Sequence, residues 1–583
     1  MAERSFQGIG VSPGVARGRI YVYSVAEEVV PEYDVAAEDV PKEIARFEQA
    51  LIKTREQLHE LQSRIASGIG SSSPSTILDV HLSITEDPAL IDSVINRLQQ
   101  ERKNVEFVFH DVSRKYVTTL SELQDEMFRE RAADVQDVAR RIMRNLLGHD
   151  HRVLTNLPPD TIVVAHELSP SDTTSLDRQH VSGFATDVGS HTSHTAIVAR
   201  SMNLPAVVGL RNLSQFVHDG QRAILDGYSG TLIIAPSEQT LFIYGQLEVK
   251  RHSVQERLDA LHDLPAQTLD GHRMILSGNI ELPTDTPAVL AAGAEGIGLF
   301  RTEFLYLNRA EFPSEEEQYA QYVEVARAVK PHSVIIRTLD IGGDKFRSED
   351  TTPVEVNPFL GFRAIRFCLA NVDIFEAQLR AILRASAEGN VRIMYPMISG
   401  VAEVVQANDI LRQVMHDLKK ERVAFDEQIP VGAMIEIPSA ALTAEMLAPE
   451  VDFFSIGSND LIQYTMAVDR VNEKVANLYE PTHPAILRLI RSVVEAAHNN
   501  NIWVGVCGEM AGEPLFAPLL LGMGIDELSA ASSSLPRVKE VIRRLTLREA
   551  QELAAASLHA NSGREVLAML NALLQRVDPD LLA

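Results

Sequence analysis

Two cysteines, Cys368 and Cys507, are all that 583 residues contain, too few for a disulfide framework and without the paired spacing of a zinc site. Long apolar runs are missing as well. The start, Met1-Ala2-Glu3-Arg4-Ser5-Phe6-Gln7-Gly8, lacks the apolar core of a secretory leader, and no later stretch approaches the length needed to cross a bilayer, so no membrane insertion is expected. Basic residues are in the minority: 54 Lys and Arg against 80 Asp and Glu leave a formal charge of -26. Such a chain repels nucleic acid and anionic membranes, steers basic protein partners favourably, and must build a locally basic pocket for any anionic small substrate. Apolar residues are plentiful at 45%, which over this length is enough for two to four cores. These features describe a soluble cytoplasmic protein of several domains.

Helical periodicity dominates residues 36 to 147, where Ile44, Phe47, Leu51, Leu58, Leu61 and Ile65 recur at helical spacing among charged residues. After a break at Ser67 to Pro74, further helical segments near 89 to 100, 105 to 127 and 132 to 147 complete a small bundle. From about 160 the pattern changes to short β-branched runs such as Thr161-Ile162-Val163-Val164 and Ala223-Ile224-Leu225-Asp226. The turn-rich, strand-like stretch Gly8 to Gly18 joins this α/β region from before the helices, which makes the bundle an insertion. Residues 237 to 262, following Pro236, read as one connector helix. Beyond it, strand candidates near 273–279, 296–300, 334–341, 391–395, 431–436, 451–456, 502–507 and 525–530 alternate with helices, the size and pattern of a (β/α)8 barrel. The expected organisation is multidomain α/β: an α/β domain from 1–35 and 148–236, a helical domain at 36–147, a linker helix at 237–265 and a TIM barrel at 266–583.

In such a barrel, active sites lie at the C-terminal ends of the strands. The residues there form a chemically consistent set. Strand one contributes Asn279; strand two ends in Arg301-Thr302-Glu303; strand three carries Arg337 and Asp340, followed by Arg363 and Arg366. Strand five ends in Glu436, strand six runs into Ser458-Asn459-Asp460 with Arg470 beyond, and strand seven ends in Cys507-Gly508-Glu509. The arginines suit an anion, Glu436 and Asp460 suit a hard divalent cation such as Mg2+, and a thiol can move a proton. A single arginine is more often solvated or structurally paired, and Cys507 alone more often a small core residue, as Cys368 between Phe367 and Leu369 is expected to be. The recurrence of such groups at successive strand ends favours a site. A second constellation is Gly189-Ser190-His191-Thr192-Ser193-His194-Thr195, a glycine turn running into a helix. A histidine at a helix N-terminus is placed to carry a phosphoryl group, because free N–H groups and the dipole face it. The competing reading, a capping or metal-binding histidine using His191 and His194, finds no third ligand nearby.

The motifs SPGVARG, ERAADVQDV, TSHTAIVARSMNLPAVVG, GLFRTEFLYL, RTLDIGGDK, NPFLGFRAIR, VDFFSIGSNDLIQYTMAVDR and VCGEMAG cover nearly the whole chain. In them the sequence closely resembles enzyme I of the bacterial phosphoenolpyruvate-dependent sugar phosphotransferase system. The resemblance implies that the α/β domain is a swivelling phosphohistidine domain with His194 as the phosphorylated residue, and that Thr173 supports it. It implies phosphoenolpyruvate contacts at Arg301, Arg337, Arg470 and Asn459, with Asp460 at the substrate as well, magnesium ligands at Glu436 and Asp460, and Cys507 as proton donor; Asn279 and Arg363, placed at strand ends, are expected to support the site. It also implies a helical docking domain for the carrier protein HPr and a homodimer held by the barrels. Three positions depart from the family's common pattern: His191 and Ile462 stand where Arg and Thr are frequent, and Ser458 where Thr is. Ser458 keeps the hydroxyl, whereas His191 removes a permanent charge beside the phosphorylation site.

Three other readings are distinguishable. Pyruvate,phosphate dikinases and phosphoenolpyruvate synthases resemble the histidine and barrel segments, but they need a large nucleotide-binding domain, and the residues before His194 are helical without a phosphate-cradling glycine loop. A nitrogen-regulatory paralogue would carry a further N-terminal sensory domain. A non-catalytic scaffold would keep the fold but not take phosphate from labelled phosphoenolpyruvate.

Overall fold

The computed structural model describes residues 3–23, 30–68, 81–122, 126–148, 157–168, 172, 176, 180–189, 194–202, 204–307, 309, 311–342, 357–470, 472 and 474–579. The chain forms two compact units, Met1–Glu248 and Val249–Ala583.

In the first unit an eight-stranded sheet is built from β1 (Arg4–Gln7), β2 (Ile9–Ser12), β3 (Val15–Tyr23), β4 (Thr161–Ala165), β5 (Val181–Thr186), β6 (Ala206–Val208), β7 (Arg222–Asp226) and β8 (Thr231–Ile234). Its order is β1-β8-β7-β3-β4-β5-β6-β2, with β3, β4, β5 and β6 mutually parallel. The central strands β4 and β5 are almost wholly buried, because a parallel sheet is covered on both faces, and β4 accordingly reads as the apolar run Ile162-Val163-Val164-Ala165. One apolar layer centres on Val163, Phe184 and Val198, the other on Ile162, Val164, Ala185 and Leu225. Adjacent parallel strands cannot be joined by a hairpin. Between β3 and β4 the crossover is the helical bundle itself: α1 (Val40–Gly68), α2 (Pro88–Glu101), α3 (Val105–Glu122) and α4 (Glu126–Leu147). Helix α2 shows how the sequence specifies such a helix. The Asp87 carboxylate accepts from Ala89 N at 2.8 Å, Pro88 occupies the first turn, and Leu90, Val94 and Leu98, four apart, form the buried stripe. That stripe meets Phe47, Phe109 and Ile142 in the bundle core.

Helix α5 (His194–Ser201) follows β5, and the chain turns toward it through Gly189 at φ +132, a conformation that glycine alone adopts readily. Helix α6 (Glu238–Asp259) occupies most of the stretch read as a linker helix at 237–265. Its start is held within the first unit by Glu3, which accepts from Ser237 N and Thr240 Oγ1, and by the Arg17–Glu248 ion pair at 2.9 Å.

The second unit is a closed barrel of eight parallel strands, β9 (Ile275–Ile280), β10 (Gly296–Phe300), β11 (Ser333–Arg337), β12 (Val391–Tyr395), β13 (Val431–Ile435), β14 (Phe453–Ile456), β15 (Trp503–Val506) and β16 (Glu527–Ala530), with β16 pairing back onto β9. The expected fold class is therefore present. Inside lie Leu299, Ile335, Met394, Met434, Phe453 and Cys507, and Trp503 stacks on Phe453 with ring centroids 4.6 Å apart. Strand β11 is shorter than the expected 334–341. Thr338 N makes one further bond to Met394 O, and the chain then leaves the ladder, so Asp340 stands on the loop beyond the strand end.

The chain following α6 is pinned to the barrel by α7 (Leu535–Arg543). The buried Lys539 ammonium donates to the carbonyls of Leu261, His262 and Gly293 at 3.3, 3.0 and 3.0 Å, and Arg543 donates to Pro265 O at 2.6 Å. Substituting Lys539 by Met keeps the stem but strips three carbonyls of a charged donor. The second unit of Lys539→Met should lose about 3 kcal/mol in denaturant unfolding; a change below about 0.5 kcal/mol would show that water takes over the ammonium's role.

Candidate active site

Charged side chains converge where the barrel strands end. Arg337, the last residue of β11, points inward; its Nη2 donates to Glu303 Oε1 at 2.5 Å and its Nη1 pairs with Asp340 Oδ2 at 2.9 Å. The other oxygen of Asp340 accepts from Arg363 Nη2 at 2.7 Å, so one carboxylate bridges two guanidinium groups. All four side chains are at least six-sevenths buried, and removing either partner would leave a charge uncompensated in a dry environment. Arg301 and Arg470 sit at the rim instead. They are more than a third exposed and pair with Glu281 and Glu509, each at 2.9 Å. Ion pairs so open to water contribute little, so these two arginines can exchange their carboxylate partners for an anionic ligand at low cost. Asn459 shares the second of these partners, donating to Glu509 Oε1 at 3.1 Å and accepting from Glu509 N at 2.8 Å. Arg366, grouped with the anion-binding arginines on sequence, is spent differently: its Nη1 donates to the carbonyls of Leu360 and Gly361.

Glu436 follows β13 and is 1% exposed. Its Oε1 accepts from Met397 N at 2.6 Å, and Met397 holds φ +56 to aim that N–H, a left-handed conformation uncommon for a residue with a side chain. Burial, with the like charges of Asp340 and Asp460 nearby, pushes the Glu436 carboxyl up to about 8. Asp460, in the first turn of the helix Ser458–Met466, is likewise raised by burial and by Asp340, against the opposing pull of Arg363, Arg470 and Arg337. Three carboxylates crowded beyond what the arginines neutralise form a place where a cation would relieve repulsion. Among the described residues no three His, Cys, Asp or Glu side chains are arranged as a complete metal cage. Glu436 and Asp460 are oxygen donors of the kind that a hard divalent cation takes, with water or substrate oxygens completing its shell.

Cys507 closes the site from β15. It is 3% exposed, donates weakly toward Ile456 O at 3.8 Å, and is pushed up to about 11 by burial, an effect moderated by the Ser455 hydroxyl and the positive charges of Arg337 and Arg301. Below it Asn279 Nδ2 donates to the Cys507 carbonyl at 3.1 Å, and Ser529 Oγ donates to Asn279 Oδ1 at 2.6 Å. Gly508 must lack a side chain, because a Cβ there would lie 2.0 Å from Ser458 Oγ. Two buried atoms of the mouth, Arg337 Nε and Ser458 Oγ, have no hydrogen-bond partner among the described residues, as expected where a ligand supplies the partner.

The structure thus brings Asn279, Arg301, Arg337, Arg363, Glu436, Asn459, Asp460, Arg470 and Cys507 to one end of the barrel. His194 is in the other unit, as the first residue of α5, and its backbone is what the structure describes; Thr173 and His191 lie outside the described residues. Next to His194 in that helix, Thr195 Oγ1 donates to Leu168 O at 2.8 Å. Sequence reasoning missed Ser455 and Ser529, which touch the site from inside the barrel. Their signal was period-two alternation: Ser455 shares its inward face with Phe453, and Ser529 is in register with Ser277. It missed Gln378 too, whose carboxamide ties Leu339 N to Thr302 and Tyr322 behind the arginines.

Three sequence signatures of phosphoenolpyruvate-utilising enzymes match the chain: the N-terminal domain at residues 7–131, the mobile domain at 157–230 and the phosphoenolpyruvate-binding domain at 255–547. With the barrel mouth described above, they define an enzyme of that class. Proteins named phosphoenolpyruvate-protein phosphotransferase from Bacillus sp. (strain S) and Geobacillus stearothermophilus are each 42% identical over 568 residues, 97% of this chain and 98% of theirs. The protein of that name from Staphylococcus aureus (strain MSSA476) is 40% identical over 569 residues, 98% of this chain and 99% of its own. The chain belongs to the phosphoenolpyruvate-protein phosphotransferase family.

A raised thiol pKa is measurable. Both cysteines are buried, and burial pushes Cys368 up to about 12. Because folded Cys507 holds its proton more tightly than an unfolded thiol, the stabilisation that follows is complete below pH 9 and disappears as pH rises through about 11. Mapped alkylation by iodoacetamide should leave Cys507 nearly untouched at pH 8 and accelerate only on approach to pH 11. Rapid modification at pH 8 in the folded protein would contradict this environment.

Proposed function

We propose that the chain takes the phosphoryl group of phosphoenolpyruvate onto His194, releases pyruvate, and passes the group to the carrier protein HPr, as the first step of sugar uptake by a phosphotransferase system. The observation that carries this reading is the barrel mouth, where buried and rim arginines, two crowded carboxylates and a protonated thiol surround an unpaired guanidinium N–H. A small substrate bearing both phosphate and carboxylate needs these groups together.

Arg337 and Arg363, held rigid by Asp340, present fixed donors, while Arg301, Arg470 and Asn459 release their rim carboxylates to take the substrate's anionic groups. Catalysis of phosphoryl transfer is largely positioning and electrostatics. An imidazole nitrogen of His194 attacks phosphorus; the N–P bond forms as the bond from phosphorus to the enol oxygen breaks, and the electron pair leaves with the enolate. Cys507 then gives its thiol proton to the methylene carbon, producing pyruvate, and its thiolate, held near Ser455, Arg337 and Arg301, regains a proton from solvent. Mg2+ held by Glu436 and Asp460 would supply charge neutralisation for the phosphoryl and carboxylate oxygens. For onward transfer His194 must be free of the barrel, and α6 is the covalent connection through which the two units remain tethered.

The remaining parts of the reading have separate supports. The helical bundle inserted between β3 and β4 is the docking domain for HPr by family resemblance, with Thr173 supporting His194. A homodimer through the barrel draws on the exposed apolar side chains Leu360, Leu442 and Met446. A cytoplasmic location fits the composition, and no helix among the described residues is long and apolar enough to cross a membrane.

Phosphoenolpyruvate labelled on phosphorus, with Mg2+, should give one acid-labile, base-stable label on the peptide containing His194, and His194→Ala should abolish it without changing the circular dichroism spectrum. Labelling of the Ala variant at the level of the parent protein would sink the assignment. Cys507→Ser should retain phosphoenolpyruvate binding but slow pyruvate formation at least tenfold, since a hydroxyl is a far weaker acid than a thiol; unchanged turnover would assign the proton to another group.

A further inference from the structure

A cleft of about 860 Å3 lies in the first unit, between α3 and α4 of the bundle and the C-terminal ends of β3 and β4. The reading of the barrel makes no use of it. Three arginines line it, Arg114 from α3 and Arg140 and Arg144 from α4, together with His110 and His166, while Glu167 is the single acidic residue of the lining. Spacing explains the convergence. His110 and Arg114 are four apart on α3, as are Arg140 and Arg144 on α4, so each pair shares one helix face.

Two of the cleft's arginines lack the carboxylate partners that other arginines of the bundle have. Elsewhere in the bundle arginines find carboxylates: Arg46 reaches Glu43 and Glu106, and Arg97 reaches Glu101 and Asp111. Arg114 and Arg140 have no side-chain partner among the described residues. Behind them Arg141 is 7% exposed, and burial lowers its affinity for a proton by more than Asp137 and Asp172 restore. Carboxylates do reach the cleft, Asp187 at His166 and Asp172 at Tyr23, and Arg144 is held at Tyr23, but none of the described carboxylates pairs with Arg114 or Arg140. Arginine forks from two helices match the oxygens of a phosphate group better than a single carboxylate. The volume far exceeds a bare ion and falls within the roughly 300–1,000 Å3 of small-molecule sites. Val22, Val117 and Met143 complete the lining with apolar surface for an uncharged body.

We propose that this cleft binds a phosphorylated small metabolite, its phosphate groups on Arg114 and Arg140 and its uncharged part against Val117 and Met143. This assignment is independent of the barrel reaction. Fructose 1,6-bisphosphate, which can present one phosphate to each helix, is the probe, with fructose and sulfate as controls on the full chain. Hydrogen–deuterium exchange should show protection of peptides from 105–122 and 126–147 with the bisphosphate and with neither control. The variant Arg114→Gln/Arg140→Gln should weaken binding by about tenfold for each guanidinium lost, because each charge-assisted bond is worth at least one decade of affinity. Its labelling by phosphoenolpyruvate should be unchanged, which verifies the fold. Protection confined to barrel peptides, equal protection by sulfate, or undiminished binding by the double variant would each overturn the proposal.

Discussion

The Asp340 carboxylate, gripped between Arg337 and Arg363 at 2.9 and 2.7 Å, is the contact on which the barrel mouth depends. Buried guanidinium groups cannot remain in an apolar barrel uncompensated, and a single-point partner would leave them free to rotate. Glu303 anchors Arg337 from the other side, and Gln378 braces the backbone behind, tying Leu339 N to Thr302. The result is a positive floor of fixed geometry. Rim arginines differ in kind, since their acidic partners Glu281 and Glu509 face solvent and can be exchanged.

Fixing that floor has a second effect. Burial raises the Glu436 and Asp460 carboxyls, and Asp340, while neutralising the arginines, adds its repulsion to that rise, whereas Arg337 stays charged. Within one cavity the protein thus separates permanently cationic groups, carboxyls poised to welcome a cation, and a thiol that keeps its proton. Such divergence of ionisation among neighbours is characteristic of sites that bind and transform charged substrates. Hydroxyls and an amide below the thiol, at Ser455, Ser529 and Asn279, hold Cys507 from inside the barrel rather than from the solvent side.

In the first unit the governing constraint is topological. Parallel neighbours β3 and β4 require a crossover, and the chain uses that obligatory connection to carry an entire helical bundle. One consequence is a cleft at the strand ends, because that is where the crossover leaves and rejoins the sheet; another is that the basic faces of α3 and α4 are turned toward it.

Much of this was determined by sequence alone. Period-two and period-3.6 patterns mark the eight barrel strands and the bundle helices because burial is periodic along each element, and the rule that barrel chemistry sits at strand ends singles out Arg301, Arg337, Glu436, Asp460 and Cys507. Tertiary structure decided what each of those groups meets. Arg366 looked equivalent to Arg363 three residues earlier, yet Arg363, bridged to Gly342 before the helix Ile365–Ala370, faces Asp340, while Arg366, inside that helix, donates to the carbonyls of Leu360 and Gly361. Asp340 was expected within a strand, but by leaving the ladder after Thr338 the chain frees its carboxylate to bridge two arginines. Ser455 and Ser529 looked like ordinary strand serines, and only barrel closure carries them beneath the thiol. Identity and periodicity are local properties written in the chain, whereas charge pairing, burial and pKa depend on residues more than 250 positions apart, and only the closed fold brings those together.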